Sequence, residues 1–293
     1  MQLEDVIIIG AGPGGISTAI QLKRYGIEPL VLEKSHIGGL LVNANLVENY
    51  PGFPGGIRGA DLVKLFEAQL KEVGVDVHFA EVLRLDWQES FIAETRSTKF
   101  HSRIAVVASG TRPRRFTEVE IPAKAAERVF YEAYPVAGVN DKRIAIIGAG
   151  DAAFDYALNL ARANEVTILN RGQSKKCLPL LWERVKRLPQ IAYWENIIIT
   201  AIKTSPDELL LSAESPARKL DISADYVIFA IGRVSQLDFF SERLTRMASQ
   251  LEERGLLYFV GDVKNNIYRQ TSIAVGDGVH AAMKIYRWFQ CEF

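Results

Sequence analysis

Two short glycine-rich runs constrain this chain more than any other feature: Gly10-Ala11-Gly12-Pro13-Gly14-Gly15 and Gly148-Ala149-Gly150-Asp151-Ala152-Ala153. Each stands between an apolar run that reads as a buried strand and a stretch that reads as a helix. Val6-Ile7-Ile8-Ile9 precedes the first. A helix is expected over Ile16 to Tyr25, closed by Gly26, then a strand over Glu28 to Leu32 that ends on Glu33. Arg143-Ile144-Ala145-Ile146-Ile147 precedes the second, with a helix expected over Ala152 to Ala163 and a strand over Val166-Thr167-Ile168-Leu169. A glycine turn between strand and helix gathers backbone amides and the positive end of the helix dipole at one point, which suits a pyrophosphate. Gly10 permits the tight turn, Gly12 lets backbone approach the phosphates, and Gly15 allows helix to pack closely on strand. Two such units in one chain imply two dinucleotides, a flavin and a nicotinamide.

The chain is long enough for both. Its 293 residues should form two domains, each with its own core, and 48% apolar with 24% charged residues is ordinary globular composition. The formal net charge is zero, so neither bulk attraction to nucleic acid nor a polybasic membrane role is expected. The first apolar run is too short for a signal peptide or a membrane span, and no basic stretch precedes it. Cys177 and Cys291 are far apart with no pairing motif, so a reducing cytoplasm fits.

The residue after each second strand separates the two units. Glu33 stands where an acid receives ribose hydroxyls, about 20 residues past the glycines. Asn170 takes that place in the second unit, followed by Arg171, Lys175 and Lys176. With no carboxylate to repel a 2′-phosphate and three cations to pair with it, NADPH is favoured over NADH. A solvated loop is the plainer reading of Lys175 and Lys176. Asp151 either caps its helix or faces the nicotinamide. Strands are also expected over Arg103 to Thr111, Ala224 to Arg233 and Leu257 to Asp262, with a last helix from about Ser272 capped by Thr271 or Ser272. The order suggests an α/β chain with two Rossmann-like FAD/NAD(P)-binding domains, the nicotinamide domain (118–239) inserted in a flavin domain (1–117 and 240–293).

Further motifs carry a family resemblance: Gly38-Gly39, Glu48-Asn49-Tyr50-Pro51-Gly52-Phe53-Pro54, Ala108-Ser109-Gly110-Thr111-Arg112-Pro113-Arg114, Ala230-Ile231-Gly232-Arg233, and Gly261-Asp262 with Tyr268-Arg269-Gln270. Over essentially its whole length the chain resembles the low-molecular-weight thioredoxin reductases of the pyridine nucleotide-disulfide oxidoreductase superfamily. The resemblance implies FAD at Gly10, Gly12, Pro13, Gly14, Gly15, Glu33, Lys34, Gly39, Leu40, Asn49, Ser109, Gly110, Gly261, Asp262, Arg269, Gln270 and Ala274. Asp262 would hold the ribityl chain, and Arg269, Gln270 and the backbone around Ala274 would lie near the flavin. It implies NADP at Gly148, Gly150, Asp151, Ala152, Asn170, Arg171, Lys175, Lys176, Ile231, Gly232 and Arg233. It also implies a homodimer, no metal, and no catalytic residue beyond the flavin.

That family's redox-active Cys-x-x-Cys would fall, counting back from Gly148, on Tyr131-Glu132-Ala133-Tyr134. Tyrosine cannot exchange thiolates, so a disulfide relay to thioredoxin is not expected. Val129-Phe130-Tyr131 and Gly150-Asp151-Ala152-Ala153-Phe154-Asp155 are similar to the thioredoxin-reductase-like ferredoxin/flavodoxin–NADP reductases, which lack those cysteines. That branch carries further arginines where this chain offers Arg171. It also has a C-terminal aromatic over the flavin, for which Trp288, Phe289 and Phe293 are the candidates here. The expected function is an FAD-dependent NAD(P)H oxidoreductase passing electrons to an external acceptor, ferredoxin or flavodoxin first. A divergent homologue reducing a small disulfide or quinone at the flavin stays open, as does a flavin-binding regulatory protein with a decayed nicotinamide site. Hinges are expected at 116–120 and 236–240, and Arg112, Arg114 and Arg115 are candidates to receive an acidic carrier.

Overall fold

The computed structural model describes residues 3–292 and separates into two compact units. The first takes in the chain up to Val42, Val47–Arg112 and the part from Val234 onward; the second is Pro113–Arg233 together with Asn43–Leu46. Phe293 lies outside the described residues.

The first unit opens with β1 (Leu3–Ile9), whose last four residues are buried. An apolar run of this kind marks a central parallel strand covered on both faces. Helix α1 (Pro13–Arg24) and β2 (Pro29–Glu33) complete a βαβ unit, followed by α2 (Gly59–Glu72) and β3 (Val77–Phe79). A hairpin, β4 (Arg84–Trp87) and β5 (Phe91–Glu94), leads into β6 (Lys99–Val107) and the short β7 (Thr111–Pro113). The strands lie in the order β3-β2-β1-β6-β5-β4, parallel except for the hairpin. The helix α1 starts at Pro13 rather than Ile16, because proline already holds the φ of a first helical residue.

The second unit repeats the plan. Its strand β8 (Val129–Phe130) is followed by β9 (Arg143–Ile147), α3 (Asp151–Leu160), β10 (Glu165–Leu169), α4 (Pro179–Val185) and β11 (Ile191–Trp194). An antiparallel meander of β12 (Ile198–Thr204), β13 (Leu209–Glu214) and β14 (Lys219–Ala224) precedes β15 (Tyr226–Phe229). The main sheet, β11-β10-β9-β15-β8, is parallel throughout. Alternation along β9 divides the core between two layers. Ile144 and Ile146 pack with Phe154 and Ala157 of α3, while Ala145 and Ile147 pack with Ile199, Ile202, Leu209 and Leu211 of the meander.

The chain re-enters the first unit through β16 (Arg233–Ser235), which pairs with β7 in a two-stranded sheet. It then forms α5 (Glu242–Glu253), β17 (Leu257–Phe259) and α6 (Thr271–Glu292). Strand β17 adds to the carboxyl half of β6, and β5 pairs with its amino half. The crossings fall at Arg112–Pro113 and Arg233–Val234, upstream of the boundaries expected from sequence. Parts of the segments expected as hinges are held within their own units, while Thr117, Glu118 and Glu120 are exposed. Phe116 stacks on Phe229 at 4.5 Å, Gln236 N–H donates to Gly110 O (3.1 Å), and Leu85 N–H donates to Phe239 O (2.7 Å).

The helices α1 and α6 cross at glycines. A Cβ on Gly278 would overlap Ser17 Oγ and the Gly14 carbonyl, and Ser17 Oγ donates to Val275 O across the seam (3.1 Å). Gly278→Ala should therefore force these helices apart and cost about 1–3 kcal/mol, read as a lowered thermal midpoint. On α3, burial raises the Asp155 carboxyl from 3.8 to about 6, opposed by the Asn45 N–H at 2.8 Å and by Arg162 and Arg184. A folded pKa above the unfolded one means that stability is full below about pH 4 and lost as pH rises through 6. Asp155→Asn should thus stabilise the protein by about 2 kcal/mol at neutral pH. Urea midpoints of variant and parent should converge near about pH 4; a pH-independent difference would contradict the assignment.

Candidate functional site

In the first unit the expected flavin residues gather at the carboxyl ends of β1, β6 and β17. Gly10 has φ of +105°, and a Cβ there would run into the Ala108 carbonyl, so the turn after β1 lies directly against the chain leaving β6. Gly12 is the N-cap of α1 without a side-chain cap, and a Cβ on it would meet nothing within 4 Å. Pro13 and Gly14 begin the helix and Gly15 packs under Gly10, which leaves first-turn amides facing open space. Glu33 is buried, accepting from Ala11 N–H (2.8 Å) and Ser35 N–H (3.0 Å). The acid pins the glycine loop and still has acceptor capacity, since a carboxylate offers about four lone-pair sites. Gly38 N–H donates to Ala11 O (2.8 Å), bringing Gly39 and Leu40 beside Gly12.

Two residues that the sequence did not assign to the site hold this edge together. Gln236 accepts from Lys34 Nζ (3.2 Å) and, at its carbonyl, from Ser109 Oγ (2.7 Å), besides its bond to Gly110. Asp277 accepts from Gly261 N–H (3.1 Å) and Asn265 Nδ2 (2.5 Å), and pairs with Lys264 at 3.2 Å. It thereby fixes the turn that carries Gly261 and Asp262 against Ala274 of α6. The only sequence hint was an acid between two helical glycines, Gly276 and Gly278. Asn49 Nδ2 donates to Gln270 Oε1 (2.8 Å), next to Arg269. Ser272 Oγ donates to Asn49 O (3.1 Å) rather than capping α6.

In the second unit Gly148 reproduces Gly10, with φ of +138° and a Cβ position blocked by the Ala230 carbonyl. Gly150 is an N-cap with no side-chain cap and open space above it, and Asp151 and Ala152 form the first turn of α3. Asp151 does not cap that helix; its Oδ1 accepts from Leu178 N–H (2.7 Å) and ties down the loop before α4. Asn170 is buried and spends its amide on loop building, donating to Ser174 O (3.1 Å) and Tyr193 OH (2.8 Å) and accepting from Gly172 N–H (3.0 Å). Lys176 N–H donates to Ala149 O (2.7 Å), docking this loop on the glycine turn. Arg171, Lys175 and Lys176 are exposed on it, Arg171 at 3.0 Å from Glu118 and Lys175 at 4.5 Å over Trp182. The Ile231–Arg233 turn closes the same edge, with Gly232 O accepting from Arg114 N–H (2.9 Å).

The segment Tyr131–Tyr134 is built into the second unit. Tyr131 OH accepts from Phe116 N–H (3.1 Å), its ring lies 5.4 Å from Phe229, and Arg115 covers it at 4.7 Å. Ala133 is fully buried and Tyr134 half exposed. Burial pushes the Cys177 thiol up, which lowers its thiolate fraction. Arg112 pairs with Asp238 at 2.5 Å and Arg115 lies over Tyr131, and Arg112, Arg114 and Arg115 are all exposed. Trp288 packs by Gly255, ahead of the amino end of β17, and lies about 26 Å along α6 from the first residue of that helix, Thr271. Trp288 and its ring neighbour Phe289 therefore do not cover the flavin edge of their own unit, and Phe293 lies outside the described residues. Among the described residues no group can hold a metal ion, and no helix is long and apolar enough to cross a membrane.

Two uncapped helix starts, each beneath an open glycine turn, fit two dinucleotides. Comparison with known proteins agrees. A thioredoxin reductase of Streptomyces clavuligerus is 28% identical over 98% of this chain and 94% of its own length. The thioredoxin reductase of Lactococcus lactis (FR conformation) superposes with a TM-score of 0.84 at 25% identity, covering 99% of this chain and 100% of that one. That of T. acidophilum gives 0.82, also at 25%, over 97% of each. The family described as pyridine nucleotide-disulphide oxidoreductase matches residues 4–278. The chain belongs to that family, as a thioredoxin reductase-like, FAD-dependent NAD(P)H oxidoreductase.

Proposed function

We propose that this enzyme takes electrons from NADPH in preference to NADH and passes them from the flavin directly to an external acceptor, with ferredoxin or flavodoxin foremost. The carrying observation is the pinned Tyr131–Tyr134 segment in a chain whose two cysteines lie far apart in sequence. A dithiol relay needs a thiolate and a resolving partner within reach. Bound FAD supplies the redox chemistry, accepting two electrons from the nicotinamide and releasing them onward. The protein's part is to hold and orient the groups. The α1 amides and Glu33 serve the adenosine half, with Lys34, Ser109 and Gly110 braced beside them by Gln236. Asp277 sets the Gly261–Asp262 turn for the ribityl chain, near Arg269, Gln270 and Ala274. The α3 amides, Arg171, Lys175, Lys176 and the Ile231–Arg233 turn serve the nucleotide. The reading includes a homodimer in the cytoplasm, supported by the family resemblance.

A second reading is favoured by the relatives' names. Proteins named thioredoxin reductase match almost the whole chain, so a divergent homologue that reduces a disulfide or a quinone at the flavin is the competitor. Anaerobic addition of NADPH or NADH to the flavin-loaded protein, with bleaching of the flavin followed, tests the donor side. Adding ferredoxin, flavodoxin, a disulfide or a quinone separately then tests the acceptor. Bleaching with reoxidation by ferredoxin or flavodoxin is expected; reoxidation only by the disulfide or quinone would favour the competitor.

Replacing Arg171, Lys175 and Lys176 together by Gln should raise the KM for NADPH about tenfold or more and leave that for NADH nearly unchanged. Replacing Cys177 and Cys291 together by Ser should leave NADPH-driven acceptor reduction intact. Loss of turnover in that variant, with flavin bleaching retained, would reinstate a thiol step.

A further inference from the structure

The parallel pairing of β8 with β15 brings the Tyr131–Tyr134 segment out at one particular edge. Strand β15 leads to Ala230, whose carbonyl backs Gly148, and then to Gly232 (φ +105°) and Arg233. Strand β8 ends at Phe130, so Glu132 emerges on the same edge as the glycine turn and the Arg233 turn. There the two side chains meet. Glu132 Oε1 lies 3.2 Å from Arg233 Nη2, with side chains only 30% and 18% exposed. The buried Tyr156 of α3 lies in the field of both and stays protonated, its pKa pushed up to about 12 by burial. In partial burial an ion pair of this kind fixes geometry, because the planar guanidinium carries its donors in one rigid fork and turns as a unit.

We propose that Glu132 is a positioning residue of the nicotinamide-nucleotide site, holding Arg233 at the mouth of the Gly148–Gly150 turn so that its guanidinium meets the bound dinucleotide. On this view the stretch that would carry thiols in a disulfide relay serves instead to set the donor nucleotide. Glu132 touches Arg233 and not the nucleotide. Its carboxylate also offsets one positive charge at a site that attracts an anion.

The two effects separate in Glu132→Gln. Loss of the negative charge should tighten equilibrium binding of NADP+ and steepen its salt dependence. Loss of the fixed guanidinium should slow flavin reduction at saturating NADPH by about tenfold or more, since small misplacements are costly. The inference rests on the proposed donor site, and the wild-type holoenzyme distinguishes the two. Failure of NADPH and NADH to bleach the wild-type flavin would sink the donor reading itself. A wild type that bleaches, beside a Glu132→Gln variant with unchanged reduction rate and unchanged NADP+ affinity, would overturn only the role given to Glu132. Glu132→Asp, which keeps the charge, should recover part of the rate and the wild-type salt dependence. In Arg233→Gln the further change Glu132→Gln should have no effect on the reduction rate. A brace of purely structural kind would lower the thermal midpoint in these variants while leaving the rate per bound flavin as it was, and that result also rejects the proposal.

Discussion

The structure depends on one contact made twice: a glycine backbone laid against the carbonyl of the chain leaving a neighbouring parallel strand. Gly10 lies on Ala108 and Gly148 on Ala230, each at a φ that an L side chain rarely adopts. A methyl group at either position would collide with a carbonyl oxygen. That closeness lets the next helix begin directly above the sheet edge, with its first amides uncapped by any side chain. The crevice, the helix dipole and the direction of the amides all follow from it.

Each unit then solves the problem of supporting its glycine turn differently. In the first, a buried carboxylate reaches back from β2 to the Ala11 amide. In the second, the equivalent position is an amide that folds its own loop, and the loop in turn reaches the glycine turn through the Lys176 N–H. Asp151 supplies a further tie from α3 to the start of α4. The second site is therefore assembled from loops that brace one another, and the first from the sheet itself.

Much of this was legible in the sequence where information is local. Strand, glycine turn and helix sit side by side in the chain, so both βαβ units and Glu33 could be placed from spacing. Gln236, Asp277 and Glu132 could not. Each acts on a partner distant in sequence, Gln236 on Lys34 and Ser109, Asp277 on Gly261, and Glu132 on Arg233, and no periodicity encodes such pairs. The connecting segments carry contacts of the same long-range kind. Phe239 is buried and Phe116 stacks on Phe229, more than a hundred residues on, so neither contact is visible in local spacing. Asp151, read either as a cap of its own helix or as facing the nicotinamide, does not cap that helix and accepts instead from the Leu178 N–H, 27 residues on.

The engagement of Asn170 has a consequence for where discrimination between nucleotides is located. Its amide is committed to the loop interior, so on the proposed donor site the charges that would distinguish one dinucleotide from the other are Arg171, Lys175 and Lys176, all in contact with solvent. Exposed charges act through water and counterions, over a Debye length of about 8 Å at physiological ionic strength. Preference vested in such groups is not a fixed property of the pocket. It becomes a function of the medium, widest in dilute buffer and narrowing as salt is added.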